Sequence, residues 1–149
     1  APDSPLKCGP AEIEGNRRPV PPGLGHLLGH PLHLNRQPVG GSGIDPASVE
    51  NYLLEDDHPL VVPTGTKIRL LLTANDVIHA WWVPEFGMKR DAIPGFINEM
   101  WVTIDADRPG TYRGQCAELC GADHGFMPIV VVAKPPAEFT AWLQEQESE

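Results

Sequence analysis

The sequence predicts an all-β domain, a sandwich or barrel of short strands, followed by one C-terminal helix. From about Glu50 onwards, short runs rich in aliphatic and β-branched residues recur, and the turn signals PTG, IPG and RPG punctuate them. Several strands at this spacing are typical of a β-sandwich or barrel. The chain of 149 residues is long enough for one such domain with a buried core.

The strand-like runs follow one another through the second part of the chain. They are NYLLED, PLVVPTG, KIRLLLTA, EMWVTIDA, GTYRGQ and MPIVVVAK. The tail PPAEFTAWLQEQESE differs from them, because two prolines precede a run in which Trp142 and Leu143 follow Phe139 by three and four positions. This spacing predicts a short amphipathic helix at the end of the chain.

The first third of the chain has another character. Residues 1–48 hold nine of the 17 prolines, eight of the 15 glycines and no phenylalanine, tryptophan or tyrosine. Proline removes a backbone donor and glycine adds backbone freedom, so this composition favours extended or turn-forming chain. We therefore expect an extended or partly disordered arm over residues 1–48 and a domain over residues 49–149.

Three histidines lie within the arm, at spacings of four and three. On a helix, His26, His30 and His33 would share one face and could bind a metal ion. However, Gly29 and Pro31 interrupt the stretch and weaken any helix, so a surface loop is favoured over a second metal site.

Charge and cysteine content narrow the classes of function. The formal net charge is −9, which argues against binding to nucleic acid or to an anionic membrane and suits a cationic protein partner. Acidity that only keeps a soluble domain dispersed is the alternative interpretation. No apolar run approaches the roughly 18 residues that cross a bilayer, and the start of the chain lacks the apolar segment of a signal peptide. Three cysteines cannot all pair with one another, and Cys8 is interpreted as an idle thiol.

The segment CAELCGADHGFM carries four possible metal ligands, Cys116, Cys120, His124 and Met127. Zinc sites rarely include a thioether, whereas thiolate and methionine sulfur together select copper. A mononuclear blue-copper site uses a single cysteine, so the second cysteine departs from that pattern. Two thiolates close together can bridge two copper ions and form a compact dinuclear centre. His79 follows the predicted strand KIRLLLTA, and a β-sandwich can bring that strand end to this loop.

Two stretches, GQCAELCGADHGFMPIVV and DVIHAWWVPEFGMKRDAIPGF, resemble the copper-binding CuA domain of subunit two of haem-copper cytochrome c oxidase. The resemblance runs from about Asn51 to Trp142. It implies a cupredoxin-like Greek-key β-sandwich and a domain that relays electrons without making or breaking substrate bonds. It also implies six ligands of a dinuclear, mixed-valence copper centre, namely His79, Cys116, Glu118, Cys120, His124 and Met127.

The same resemblance assigns the ligands to the two copper ions. Cys116 and Cys120 are expected to bridge both ions, with His79 and Met127 completing one of them. His124 and the backbone carbonyl of Glu118 are expected to complete the other.

A second metal site is implied at an interface with subunit one. The side chain of Glu118 is expected to point away from copper, towards a magnesium or manganese ion, and Asp91 is expected on the same interface. Trp81, Phe126 and Met88 are expected to exclude water from the copper site.

The implied partners are a c-type cytochrome as electron donor and subunit one as acceptor, at the periplasmic face of the bacterial inner membrane or in the mitochondrial intermembrane space. Attachment to the membrane is expected only through partner subunits or through an anchor missing from this sequence. The family's tryptophan-bearing strand, where the electron enters, has no counterpart in residues 1–50. Entry through Trp81, Trp82 or the edge of His124 therefore remains open.

Other copper proteins are the alternatives. A chaperone or store must release copper and tends to use two or three exposed soft ligands, whereas six ligands from a loop and a distant strand favour permanent binding. A stand-alone CuA electron carrier is a further alternative. The motifs CAELCG and KRDAIPG resemble the oxidase rather than a nitrous oxide reductase.

Overall fold

The computed structural model of the protein describes residues 45–56 and 58–146. Seven strands and one α-helix follow one another in this part of the chain. They are β1 (Leu60–Pro63), β2 (Lys67–Leu72), β3 (His79–Val83), β4 (Met88–Ala92), β5 (Asn98–Thr103), β6 (Gly110–Gln115), β7 (Pro128–Lys134) and α1 (Pro136–Gln146). The predicted arm falls almost entirely on residues 1–44, which lie outside the described residues, together with the three histidines and Cys8.

Three sheets form the β-structure of the described residues. The strand order β1-β7-β6 defines one sheet, in which β1 runs parallel to β7 and β6 runs antiparallel to it. Strands β2 and β5 form an antiparallel pair, and β3 and β4 form another. The arrangement confirms the predicted all-β fold with a C-terminal helix.

Strands β2 and β5 each bury one face. In β2, Ile68, Leu70 and Leu72 point inward, and in β5 Met100 and Val102 do the same, while the residues between them are half-buried or exposed. This alternation is that of a sheet with one face on the core and one in water. The inward side chains join residues of the other strands in one hydrophobic cluster.

Strands β1 and β7 are buried on both faces for most of their length. The reason is α1, which packs against both strands and buries Phe139. The rings of Phe139 and Trp142 lie 5.8 Å apart, which confirms that these positions share a face of the predicted helix.

The hairpin of β3 and β4 was not among the predicted strands. Its turn is a short 3-10 helix at Pro84–Phe86, which ends at Gly87 with a φ of 67°. That left-handed conformation favours glycine, so Gly87 allows the chain to reverse into β4. The prediction of a strand at NYLLED is wrong. Residues 51–53 form a turn, in which Asn51 and Leu53 have positive φ.

No helix in residues 45–56 and 58–146 is both long and apolar enough to cross a bilayer.

Candidate metal centre

His79 is the first residue of β3 and lies within the β3–β4 sheet. It pairs with Ala92 of β4 and is only 1% exposed. The carbonyl of the next residue, Ala80, accepts a hydrogen bond from the amide of Ala117 at 3.0 Å. The chain just after Cys116 is thereby bonded directly to the strand that carries His79. The predicted strand KIRLLLTA is two residues longer than β2, which ends at Leu72, so six residues separate β2 from His79.

The other predicted ligands lie in the loop between β6 and β7, residues 116–127, which we call the ligand loop. Its two ends are paired, because the amide of Cys116 donates to the carbonyl of Met127 at 3.0 Å. This bond continues the β6–β7 ladder by one step, so a twelve-residue loop begins and ends at adjacent positions. Within the loop, a 3-10 turn at His124–Phe126 returns the chain towards β7.

Sulfur and nitrogen atoms of five predicted ligands form one connected cluster. The two thiol sulfurs, Cys116 Sγ and Cys120 Sγ, lie 3.8 Å apart at its centre. His79 Nδ1 is 3.9 Å from the sulfur of Cys116. On the other side, His124 Nδ1 and Met127 Sδ each lie 3.4 Å from the sulfur of Cys120.

The sixth predicted ligand atom completes the cluster. The backbone carbonyl oxygen of Glu118 lies 3.3 Å from Cys116 Sγ. The side chain of Glu118 is exposed.

These separations fit metal binding. Nitrogen and sulfur ligands bind a first-row metal at about 2.0–2.3 Å, so two ligands at a tetrahedral angle lie about 3.5 Å apart. The observed separations of 3.3–3.9 Å bracket this value. His79, Cys116 and Cys120 alone have ligand atoms within 4.8 Å of one another, which is compact enough for one ion.

The Cys120 thiol is protonated at neutral pH when no metal is bound. Burial, together with the neighbouring Cys116 thiol, raises the pKa of Cys120 to about 12. Because a metal binds the thiolate, metal binding must displace a proton from this site. Both cysteines are free thiols in the structure.

Asp76 is a site residue that the sequence motifs did not identify. Its Oδ1 lies 2.9 Å from Nε2 of His79, on the side of the ring opposite to Cys116. Partial burial acts to raise the pKa of Asp76, but hydrogen bonds from His79 and from the amide of Val77 outweigh it and lower the pKa below its usual value. Asp76 is therefore an ionised acceptor for the histidine ring.

The residues expected to exclude water are only partly in place. Trp81 is buried at 6% exposure, and Phe126 is half-buried within the ligand loop. Met88, however, lies at the other end of the β3–β4 hairpin, paired with Val83, and is 42% exposed. The expectation for Met88 is wrong, because a five-residue strand carries it away from His79.

The family model that describes the periplasmic domain of cytochrome c oxidase subunit II matches residues 39–134. The chain belongs to this family. The match begins ten residues before the predicted domain start at residue 49, so where the arm ends stays a prediction.

Two solved structures are similar to this chain. One is the periplasmic domain of subunit II of cytochrome oxidase from Bradyrhizobium japonicum, 42% identical, with a TM-score of 0.63 over 68% of this chain and 72% of that one. The other is a mixed disulfide intermediate between the thioredoxin-like TlpAs and subunit II of cytochrome c oxidase. It is 45% identical, with a TM-score of 0.53 over 60% of this chain and 61% of that one.

Family membership confirms the predicted function class. The chain is a periplasmic, copper-binding CuA domain that serves electron transfer in cytochrome c oxidase, where subunit II interacts with subunit one. Nothing in the comparisons favours a copper chaperone or store.

Proposed function

We propose that the cluster around Cys116 and Cys120 holds two copper ions, and that the domain passes single electrons from a c-type cytochrome to subunit one. The observation that carries this proposal is the continuous set of ligand atoms. One end of the set is His79 beside Cys116, and the other end is His124 and Met127 beside Cys120. A single ion could use only part of this set, whereas two ions that share both sulfurs could use all of it.

Copper fits the donor set better than zinc does. Thiolate and thioether sulfur are soft ligands that favour copper, and structural zinc sites are built from four cysteine or histidine ligands. Met127 is 1% exposed and its sulfur lies 3.4 Å from Cys120 Sγ. A buried thioether aimed at a thiol pair would contribute little to a zinc site.

When bound, the copper pair supplies a one-electron redox centre in which the charge is spread over both ions. The protein holds the ligands of that centre in place and keeps water away from them. His79, Cys116 and Met127 are each no more than 4% exposed, so water has little access to them. The ladder bond from Cys116 to Met127 and the bond from Ala117 to Ala80 hold the loop and strand at fixed separation. Ligands held in this way move little when the redox state changes.

The surface around the ligands supports docking onto subunit one. We call the end of the sandwich where β3 and β7 begin the ligand end. Five large apolar side chains near this end are at least 45% exposed: Val77, Ile78, Phe96, Ile97 and Leu119. An exposed apolar group of this size is typical of a protein interaction site. Leu119, at 78% exposure, lies between the two cysteines in sequence.

The proposed magnesium or manganese site would lie at the same interface. Glu118 and Asp91 both have exposed side chains, as residues that complete a site with another subunit would. In the assembled oxidase, Glu118→Gln should weaken manganese binding while the copper content stays at two per domain. Loss of copper in that variant would contradict separate roles for the carbonyl and the side chain.

The state of the thiols suggests a further partner. Two sulfurs 3.8 Å apart can be oxidised to a disulfide after a small movement, and a disulfide cannot bridge metal ions. A related subunit II forms a mixed disulfide with a thioredoxin-like protein. We propose that a thioredoxin-like reductant keeps Cys116 and Cys120 reduced before copper loading.

Copper loading of the purified domain tests the central proposal. Metal analysis should give two copper ions per chain, and electron paramagnetic resonance should show one unpaired electron shared by two copper nuclei. The signal of one isolated Cu(II), or zinc retained in preference to copper, would contradict it. Retention of copper against a competing chelator separates an electron-transfer site from a chaperone, which must release its copper.

A further inference from the structure

Both ring nitrogens of His79 have defined surroundings, although only one of them can bind copper. Nδ1 is 3.9 Å from Cys116 Sγ, and Nε2 is 2.9 Å from Asp76 Oδ1. The ring is 1% exposed, while the side chain of Asp76 is 32% exposed. Asp76 therefore lies between a buried imidazole and the surface of the ligand end.

We propose that Asp76 is a positioning residue for the copper site, which fixes the tautomer and the orientation of His79 before any metal arrives. The inference rests on the proposed role of His79 as a copper ligand. A carboxylate can only accept a hydrogen bond, so the proton of the neutral imidazole must be on Nε2. The lone pair of Nδ1 is then left free, and it is directed towards the thiol pair.

The ring would have a second orientation without this contact. A half-turn about its bond to Cβ moves the positions of the ring nitrogens away from Cys116 and breaks the bond to Asp76. Within the described part of the chain, Asp76 is the acceptor that lies within hydrogen-bond distance of Nε2. The rotated ring would leave a buried N–H without a partner, which is costly in a site of 1% exposure.

Asp76 is itself held in place by its surroundings. The amide of Val77 donates a hydrogen bond to its carboxylate. The preceding residues are tied to the loop after β4, since Ala74 bridges to Pro94 and the hydroxyl of Thr73 lies 3.4 Å from the carbonyl of Ile93. The acceptor is thus fixed to the same hairpin that carries His79, as a support for a metal ligand must be.

Two variants separate the hydrogen bond from the charge. Asp76→Asn removes the negative charge but keeps an oxygen that can accept from Nε2, whereas Asp76→Ala removes both. Asp105→Ala removes one acidic side chain from the turn between β5 and β6 and serves as the control. Thermal unfolding of each protein establishes that it is folded.

Nitrogen-15 NMR of the metal-free protein reads the tautomer of His79 directly. We expect the Nε2–H form in wild type, Asp76→Asn and Asp105→Ala, and a mixture of tautomers in Asp76→Ala. Copper affinity, measured by competition with a chelator, should fall about 10- to 100-fold in Asp76→Ala, the range found when support of a ligand is lost. Asp76→Asn should lie closer to wild type.

Two outcomes would overturn the inference. One is an unchanged tautomer and an unchanged copper affinity in Asp76→Ala. The other is equal loss of affinity in Asp76→Ala and Asp76→Asn, because the charge and not the hydrogen bond would then matter. Failure of wild type to bind copper would contradict the proposed function instead, and the tautomer of the metal-free protein would still decide the role of Asp76.

Discussion

The ligand loop and strand β3 contribute to the same site in opposite ways. The loop contributes five of the six proposed ligands from irregular chain, in which Glu118 and Leu119 are exposed. Strand β3 contributes one ligand, His79, from inside a ladder, and its neighbours Ala80 and Trp81 are buried. The loop therefore carries the chemistry of the site, whereas the strand determines where one side of the site is placed.

Strand β3 packs closely against β6, so a larger side chain at their contact would displace β3. Gly114 of β6 lies so close to β3 that a Cβ atom added there would be 2.0 Å from the carbonyl oxygen of Trp82. The atoms it would meet belong to backbone, which cannot rotate away. Gly114→Ala should therefore separate the two strands and shift His79 relative to Cys116.

This change should have the largest effect on both fold and site. Overpacking of a core costs about 1–3 kcal/mol, and backbone contact places this case at or above the upper end. We expect a fall in melting temperature on the order of 10 °C for a domain of this size, with loss of copper stoichiometry. Gly110→Ala in the same strand is the matched control, because a Cβ there has no neighbour within 4 Å. Equal melting temperatures for the two variants would contradict this prediction.

The same contrast explains what the sequence could predict. The ligand loop is local, so the spacing of its sulfur and nitrogen ligands is legible in twelve consecutive residues. The approach of Gly114 to Trp82 depends on which strands become neighbours, and no local pattern encodes that. Asp76 lies only three positions before His79, but it stands outside the pattern of sulfur and nitrogen ligands, so its contact with the ring was not predicted. The β3–β4 hairpin was missed for a related reason. HAWWV lacks strict alternation of apolar and polar residues, and Ala80 is buried on the face where Trp82 is exposed.

Removing a bridging sulfur should abolish the site while leaving the fold intact. Ser is close to Cys in size, and its hydroxyl is a poor ligand for copper, so Cys116→Ser or Cys120→Ser should eliminate the shared-electron signal. The melting temperature of the metal-free protein should change by only a few degrees. Paramagnetic resonance and thermal unfolding measure the two effects separately. A surviving dinuclear signal in either variant would contradict bridging by both sulfurs.

Replacing the methionine should have a smaller effect. Met127 is buried and a thioether is a weak ligand, so Met127→Leu should keep two copper ions and shift the reduction potential. The swap conserves volume, and its cost in stability should be below about 1.5 kcal/mol. His79→Ala is the comparison, because it removes a ligand of the strand and should lose or remodel one copper ion. An unchanged spectrum and potential in His79→Ala would exclude His79 as a ligand.

Removal of single acidic side chains should have the smallest effects, and these effects are on the rate of electron transfer from a cationic cytochrome. The size of the effect should differ between the two ends of the sandwich. Acidic residues that could attract the donor by their charge lie in different parts of the structure. Glu55 is paired with Arg113 at 2.9 Å, and Asp105 lies in the turn before β6, at the opposite end of that strand from Cys116. A six-residue strand spans about 20 Å, which is more than twice the Debye length of about 8 Å at 0.15 M salt.

A negative charge near the ligands should therefore raise the rate of electron transfer more than a negative charge at the opposite end of the sandwich. Asp123 is exposed and directly precedes His124, so Asp123→Asn should slow stopped-flow reduction by a basic cytochrome c a few-fold at low salt. Asp105→Asn should change the rate less, and the difference should shrink as salt is added. Reduction potentials of both variants must be measured alongside, since a charge beside a ligand can alter the driving force. Equal rate losses at equal potentials would show that net charge, and not a docking site at the ligand end, attracts the donor. A slow rate that is flat with salt in every variant would place the entry of the electron outside this surface.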